Sequence, residues 1–221
     1  MNQSINNRVF LMLAVVALAG MMILAGCSDE DDPVKVVPDP PIGPETADEL
    51  VAQFQTAYEA MDVDNYVALL DPEFLMILQE DTIDEFPDVG TTLDFTEEER
   101  IHQRMFSGES VTDPNGNFVP GVQTIDFSEF MALAAWSPSD DVDRFPDTVW
   151  TSYEVVVMFY RGQQFSMLRV TGMVKIYVRA HEVMVDGEEK TYYLMAGMVD
   201  LTGSGKGTEV ESWGGVKALF R

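Results

Sequence analysis

Residues 46–74 read TADELVAQFQTAYEAMDVDNYVALLDPEF, and the fold is decided there. Thr46 and Glu49 fit a capping box, in which each side chain satisfies the other's free backbone donor. Leu50, Val51, Phe54, Ala57, Tyr58 and Met61 then recur at helical spacing. Asp62 is placed to cap a second, short helix carrying Tyr66, Val67, Leu69 and Leu70. Asp71-Pro72 ends it, because proline drives the residue before it out of the helical region. Phe74 to Leu78 follows as a brief apolar strand.

Downstream, a second capping box at Thr96 and Glu99 starts a helix that runs to Phe106. Asp113-Pro114-Asn115-Gly116-Asn117 is a turn whose spacing does not match a calcium loop. The remainder reads as strands. Val122 to Ala135 holds one or two, followed by a loop from Ser137 to Asp147. Trp150 to Tyr160 leads through an Arg161-Gly162 turn into the long stretch Phe165 to Val185. Asp186-Gly187 marks a hairpin turn, and Thr191 to Thr202 returns. Gly203 to Gly207 is a loop, and Thr208 to Phe220 is a last strand or edge. Long strands in series imply an antiparallel meander, and helices before a sheet imply an α+β domain. Residues 46–221 suit a single domain by length.

This order of elements resembles the NTF2-like (cystatin-like, SnoaL-like) α+β cone. The pattern Phe54-x3-Tyr58, Asp62-x3-Tyr66-x3-Leu70-x-Pro72-x-Phe74 is similar to the opening of many such domains. The resemblance spans residues 46 to 213. It implies N-terminal helices packed on a curved antiparallel sheet, with a pocket at the open end. Members include isomerases, cyclases and dehydratases as well as non-catalytic binding and assembly modules, so the fold does not give the function.

Upstream, Ser28 to Glu45 holds five of the eleven prolines and is acidic. Proline fixes φ and removes a donor, so this is a tether, extending about 3.1 Å per residue. Before it, Arg8 and the uncharged apolar run Val9 to Leu24 have the layout of a secretory signal. The run ends in Leu24-Ala25-Gly26-Cys27, which resembles the lipobox of bacterial lipoproteins. That resemblance implies cleavage between Gly26 and Cys27, and acyl chains such as palmitate on Cys27. Residues 1–26 are then the signal peptide and 27–45 the lipidated cysteine and tether. The alternative is an uncleaved transmembrane anchor, but about 16 apolar residues are short for a span of roughly 20. Ser28, not Asp, follows Cys27. By the same resemblance this favours the outer membrane, on its periplasmic face or the cell surface, over the inner membrane. Cys27 is the only cysteine, so the mature chain forms no intramolecular disulfide.

The chain carries 38 acidic and 13 basic side chains, a formal charge of −25. This argues strongly against nucleic acid as a partner, since phosphates need Lys and Arg. It also argues against a peripheral footprint on anionic lipid.

Along the long strand, Arg169, Lys175, Arg179 and His181 share one face, since residues two apart point the same way. This stripe either meets an anionic ligand group or pairs with cross-strand carboxylates such as Glu154 or Asp200. The ligand-binding candidates are Arg169, Lys175, Arg179, Trp150 and Trp213. The catalytic candidates are His102, His181, Asp200, Tyr192 and Tyr193, the residue types that move or hold protons. None matches a family catalytic motif. His102, beside acidic residues on its helix, reads as a surface or helix-face residue. Two histidines and no second cysteine leave no His-rich metal site, and no cofactor is expected. The expected protein is a lipid-anchored, non-catalytic envelope module that binds a small apolar ligand or a partner. The alternatives are a cyclase or isomerase, or a homodimeric interaction module.

Overall fold

The computed structural model describes residues 43–221, apart from Pro114, Asp143 and 203–209. Cys27, the signal and most of the tether lie outside the described residues, as does the Gly203–Gly207 loop.

Helix α1 (Ala47–Ala60) starts where expected, with the Thr46 hydroxyl accepting from Glu49 N at 3.1 Å. The Glu49 carboxylate reaches back one residue further, to Glu45 N. Asp62 caps α2 (Val63–Ala68) through Asn65 N. Leu69 and Leu70 are not helical. Strand β1 (Leu70–Ile77) already runs through Asp71-Pro72, and its register slips between Leu70 and Leu75. Proline makes its neighbour extended but offers no ladder donor, so the strand passes through it with an irregularity. A short helix α3 (Glu80–Glu85), a 3-10 turn (Pro87–Val89) and β2 (Thr92–Asp94) follow, none of them anticipated. Helix α4 (Phe95–Phe106) is capped two residues earlier than expected, by Asp94 and Glu97 rather than Thr96 and Glu99.

A small hairpin, β3 (Val111–Thr112) and β4 (Phe118–Val119), closes around the Asp113 turn. The main sheet contains β5 (Thr124–Ala132), β7 (Thr148–Tyr160), β8 (Leu168–Val185) and β9 (Glu188–Thr202). The expected loop at 137–147 contains a two-residue strand β6 (Ser137–Pro138) against β7. The strand order is β2-β1-β9-β8-β7-β5. The sheet is mostly antiparallel and curved rather than a pure meander, because β1 runs parallel to β9. Asp186 and Gly187 both take positive φ, as a two-residue hairpin turn requires.

The chain's end departs from expectation. Only Val210–Glu211 form a strand, β10, parallel to β8. Trp213–Leu219 are a helix, α5, capped by the Ser212 hydroxyl on Gly215 N at 2.8 Å. Trp213, Val216, Lys217 and Phe220 recur at helical spacing, and all four are buried.

Helices α1, α4 and α5 bury their apolar sides on one face of the sheet. Cross-strand rows such as Phe127, Val157 and Val170 supply the other half of the core. Burying a large apolar side chain contributes about 1.5–3 kcal/mol.

Candidate functional site

Two groups of polar residues stand out, one inside the cone and one at its rim. The inner group gathers on α1, α2, α4 and α5. Tyr58, Tyr66, Glu98, His102 and Trp213 are 0% exposed and Lys217 is 1% exposed. His102 is thus interior, not on the surface as its neighbours suggested. Asp94 caps α4, and Glu98, Ile101, His102 and Met105, spaced three or four apart, share its buried face.

The hydrogen bonds of this group run in one direction. Trp213 Nε1 can only donate, so the Tyr58 hydroxyl accepts from it at 3.1 Å. Tyr58 must then donate its single proton to His102 Nε2 at 2.8 Å. That leaves the His102 proton on Nδ1, which faces the Glu98 carbonyl at 2.7 Å and carboxylate at 3.1 Å. The Glu98 carboxylate also accepts from Lys217 Nζ at 2.7 and 3.0 Å, and from the Tyr66 hydroxyl at 3.0 Å. Every donor and acceptor is engaged. Burial pushes the Glu98 carboxyl up, but the Lys217 ammonium and His102 outweigh it and hold it down at about 2. Burial lowers the His102 imidazole, so it stays neutral. Burial, and then Glu98, raise both tyrosines well above their ordinary value. These atoms are closed off from solvent, and Val216 and Phe220 of the same C-terminal segment are buried with them.

The outer group joins three of the expected candidates. Arg179 donates to Asp71 at 2.9 Å and to Glu73 at 3.1 Å. His181 Nε2 shares the Asp71 oxygen at 2.9 Å. Two members of the stripe on β8, Arg179 and His181, therefore pair with carboxylates from β1, not with Glu154 or Asp200. The His181 ring stacks on its cross-strand partner Tyr192, with centroids 5.3 Å apart. Tyr192 in turn lines a pocket of about 580 Å³. Its apolar walls include Ala57, Ala60, Ala68, Leu69 and Leu194, its polar ones Gln53, Thr56, Asp62 and Asn65, with Gly43 and Pro44 at its side. A Cβ at Gly43 would lie 3.0 Å from Tyr192 Cδ2, so the chain enters the domain pressed against this wall.

The remaining candidates are dispersed. Asp200 is buried beneath α5 and accepts from Thr202 N, the Thr202 hydroxyl and Gly214 N. Burial pushes its carboxyl up, and those three donors oppose the push. Lys175 lies 3.7 Å over the Trp150 ring, a cation–π contact. Arg169 is exposed, opposite Met158. Tyr193 packs against the core, and its N–H donates to Pro44 O. Sequence reasoning missed Tyr58, Tyr66, Asp71, Glu98 and Lys217. A lysine inside the apolar run Trp213 to Phe220, and Glu98 four residues before His102, were the available signals.

Neither a family model nor a curated relative matches the chain. Solved structures similar to it share little sequence. A conserved protein from Planctomyces limnophilus is 9% identical over 70% of this chain and 91% of that one, with a TM-score of 0.42. A protein of unknown function with a cystatin-like fold from Nostoc punctiforme is 13% identical over 73% and 96%, at 0.39. An NTF-2 like protein of unknown function from Shewanella oneidensis is 8% identical over 68% and 92%, at 0.33. At such distances no ligand or reaction carries over.

Proposed function

We propose that this is a lipid-anchored envelope protein whose NTF2-like domain binds an apolar group at its rim rather than running chemistry in its cone. That group belongs to a small ligand or to a side chain of a partner. One contrast carries the reading: the interior is sealed and self-satisfied, while an apolar pocket of about 580 Å³ opens beside Gly43 and Pro44. A concave, largely apolar pocket with a few polar groups is what small-ligand sites share. The lipobox-like Leu24 to Cys27 supports the anchoring. Two or three acyl chains hold a protein firmly, at about 0.8 kcal/mol per buried methylene.

The test is native mass spectrometry of the full chain, extracted in detergent from its own host. Expected are a chain that begins at an acylated Cys27 and a retained ligand or partner mass. Ala68→Trp fills the pocket from an exposed position and should abolish that mass. A wild-type chain that retains nothing, or a mass indifferent to Ala68→Trp, would sink the binding reading.

One observation favours a second reading, an enzyme of the cyclase or isomerase type. His181, oriented by Asp71 and stacked on the pocket wall Tyr192, has the layout of an oriented general base. Turnover of the retained ligand that His181→Ala removes would decide for it.

A further inference from the structure

The pocket borders a stretch of sheet edge that the described residues leave largely unpaired. β9 pairs with β8 along its whole length, in unbroken register from Glu188 to Leu194. On its other side, β1 pairs with β9 only from Leu70 opposite Met195 onward. In an antiparallel pair, successive residues turn their backbone groups alternately toward and away from the partner. Tyr193 N–H points away from β8, since it donates to Pro44 O at 2.9 Å. Thr191 and Glu189 have the same parity, so their N–H and C=O groups face the same edge. Among the described residues, no backbone hydrogen bond is made there beyond Pro44. An unpaired edge of this kind is a template for another extended chain.

The surroundings select the chain. Glu182, Asp186, Glu188 and Glu189 are exposed around the hairpin against the single half-buried cation Lys190, and Asp62 stands in the pocket wall. The whole chain carries −25. Small residues, Ala57, Ala60 and Ala68, leave the room that an apolar side chain fills.

We propose that the Glu188–Tyr193 edge of β9 takes an extended segment of a partner protein as an added strand, with an apolar side chain in the rim pocket and basic residues flanking it. This rests on the rim-pocket reading above and names its occupant. Main-chain hydrogen bonds supply affinity in this mode, and the pocket supplies selectivity. Charge complementarity speeds encounter and makes binding weaken with salt.

The test is selection of a phage-displayed library of random short peptides on the full chain in detergent, with affinities measured by fluorescence anisotropy. Enriched peptides should combine an apolar residue with lysine or arginine, and bind more weakly as salt rises. Thr191→Pro removes one edge donor at an exposed position and should weaken them about tenfold, the worth of a lost ladder hydrogen bond. Ala68→Trp should abolish binding. A small ligand that Thr191→Pro still retains, with peptides absent or indifferent to that substitution, overturns the added strand and leaves the pocket reading standing. Peptides that bind only after residues 34–42 are replaced by glycine and serine name the chain's own tether as occupant, and overturn an external partner. Acidic peptides winning the selection overturn the charge argument.

Discussion

The interior and the rim use the same four kinds of side chain. Inside are His102, Tyr58, Glu98 and Lys217; at the rim are His181, Tyr192, Asp71 and Arg179. The spacings are alike, between 2.7 and 3.1 Å for the polar contacts among them. They differ in access. The interior set is at most 1% exposed, while Arg179 is 17% and His181 28% exposed over a buried Asp71. A histidine beside a carboxylate and a tyrosine is therefore no site by itself. It becomes one only where an approaching group can find an unfilled place next to it.

The sharpest way to break this contrast is to remove one cation from each set. Lys217→Met leaves Glu98 charged and sealed, and should lower the unfolding free energy by about 3–5 kcal/mol. Arg179→Met should cost less, about 1.5–3 kcal/mol, because Asp71 keeps His181 and water lies close. Urea denaturation compares the two, and equal losses would erase the distinction between sealed and open.

A smaller effect is expected from Gly214→Ala in α5. Its Cβ would lie 2.6 Å from Leu78 Cδ2 and 3.0 Å from Asp200 Oδ2, against packed core. A loss of about 1–3 kcal/mol is expected. Gly43→Ala meets first the Tyr192 side chain at the rim, at 3.0 Å, and should cost less in the same assay.

Acid should sharpen the comparison further. Burial holds the folded His102 pKa below 6.5. Between that lowered value and about 6.5, the unfolded chain binds a proton that the folded one does not. The contribution of His102 is complete above this window and falls as the pH drops through it, by at most about 1.4 kcal/mol per pH unit. Denaturation midpoints at successive pH values should fall more steeply for the wild type than for His102→Gln. Glu98, with a folded pKa of about 2, loses its contribution in a lower window. The smallest effect on stability belongs to Ala68→Trp, within about 0.5 kcal/mol by the same denaturation, since the position is exposed.

Much of the frame was legible because its signals are local. Thr46 and Asp62 announce two helix starts within three residues of the groups they cap. Asp186-Gly187 announces its hairpin in the same way. Helix α5 was hidden by Gly214 and Gly215, each a poor helix former. They are there because Leu78, Asp200 and the Ser212 hydroxyl press on those positions, a fact that no local pattern carries. The two polar sets were illegible for a related reason. Glu98 and Lys217 are 119 residues apart, and Asp71 and His181 are 110 apart. Their meeting depends on the parallel pairing of β1 with β9 and on α5 folding back over α4. A candidate list read from residue types alone mixed members of both sets.

The indole proton of Trp213 has a further consequence. It is bonded to Tyr58 in a place water does not reach, and it is released only when α5 lifts from the core. Its exchange with deuterium then reports an opening of the core, expected at the high end of the free energies that local opening spans. The Thr191 amide, on an edge that no described residue pairs, is expected to exchange far faster. A single deuteration experiment therefore compares an edge amide with a proton sealed at the centre of the domain.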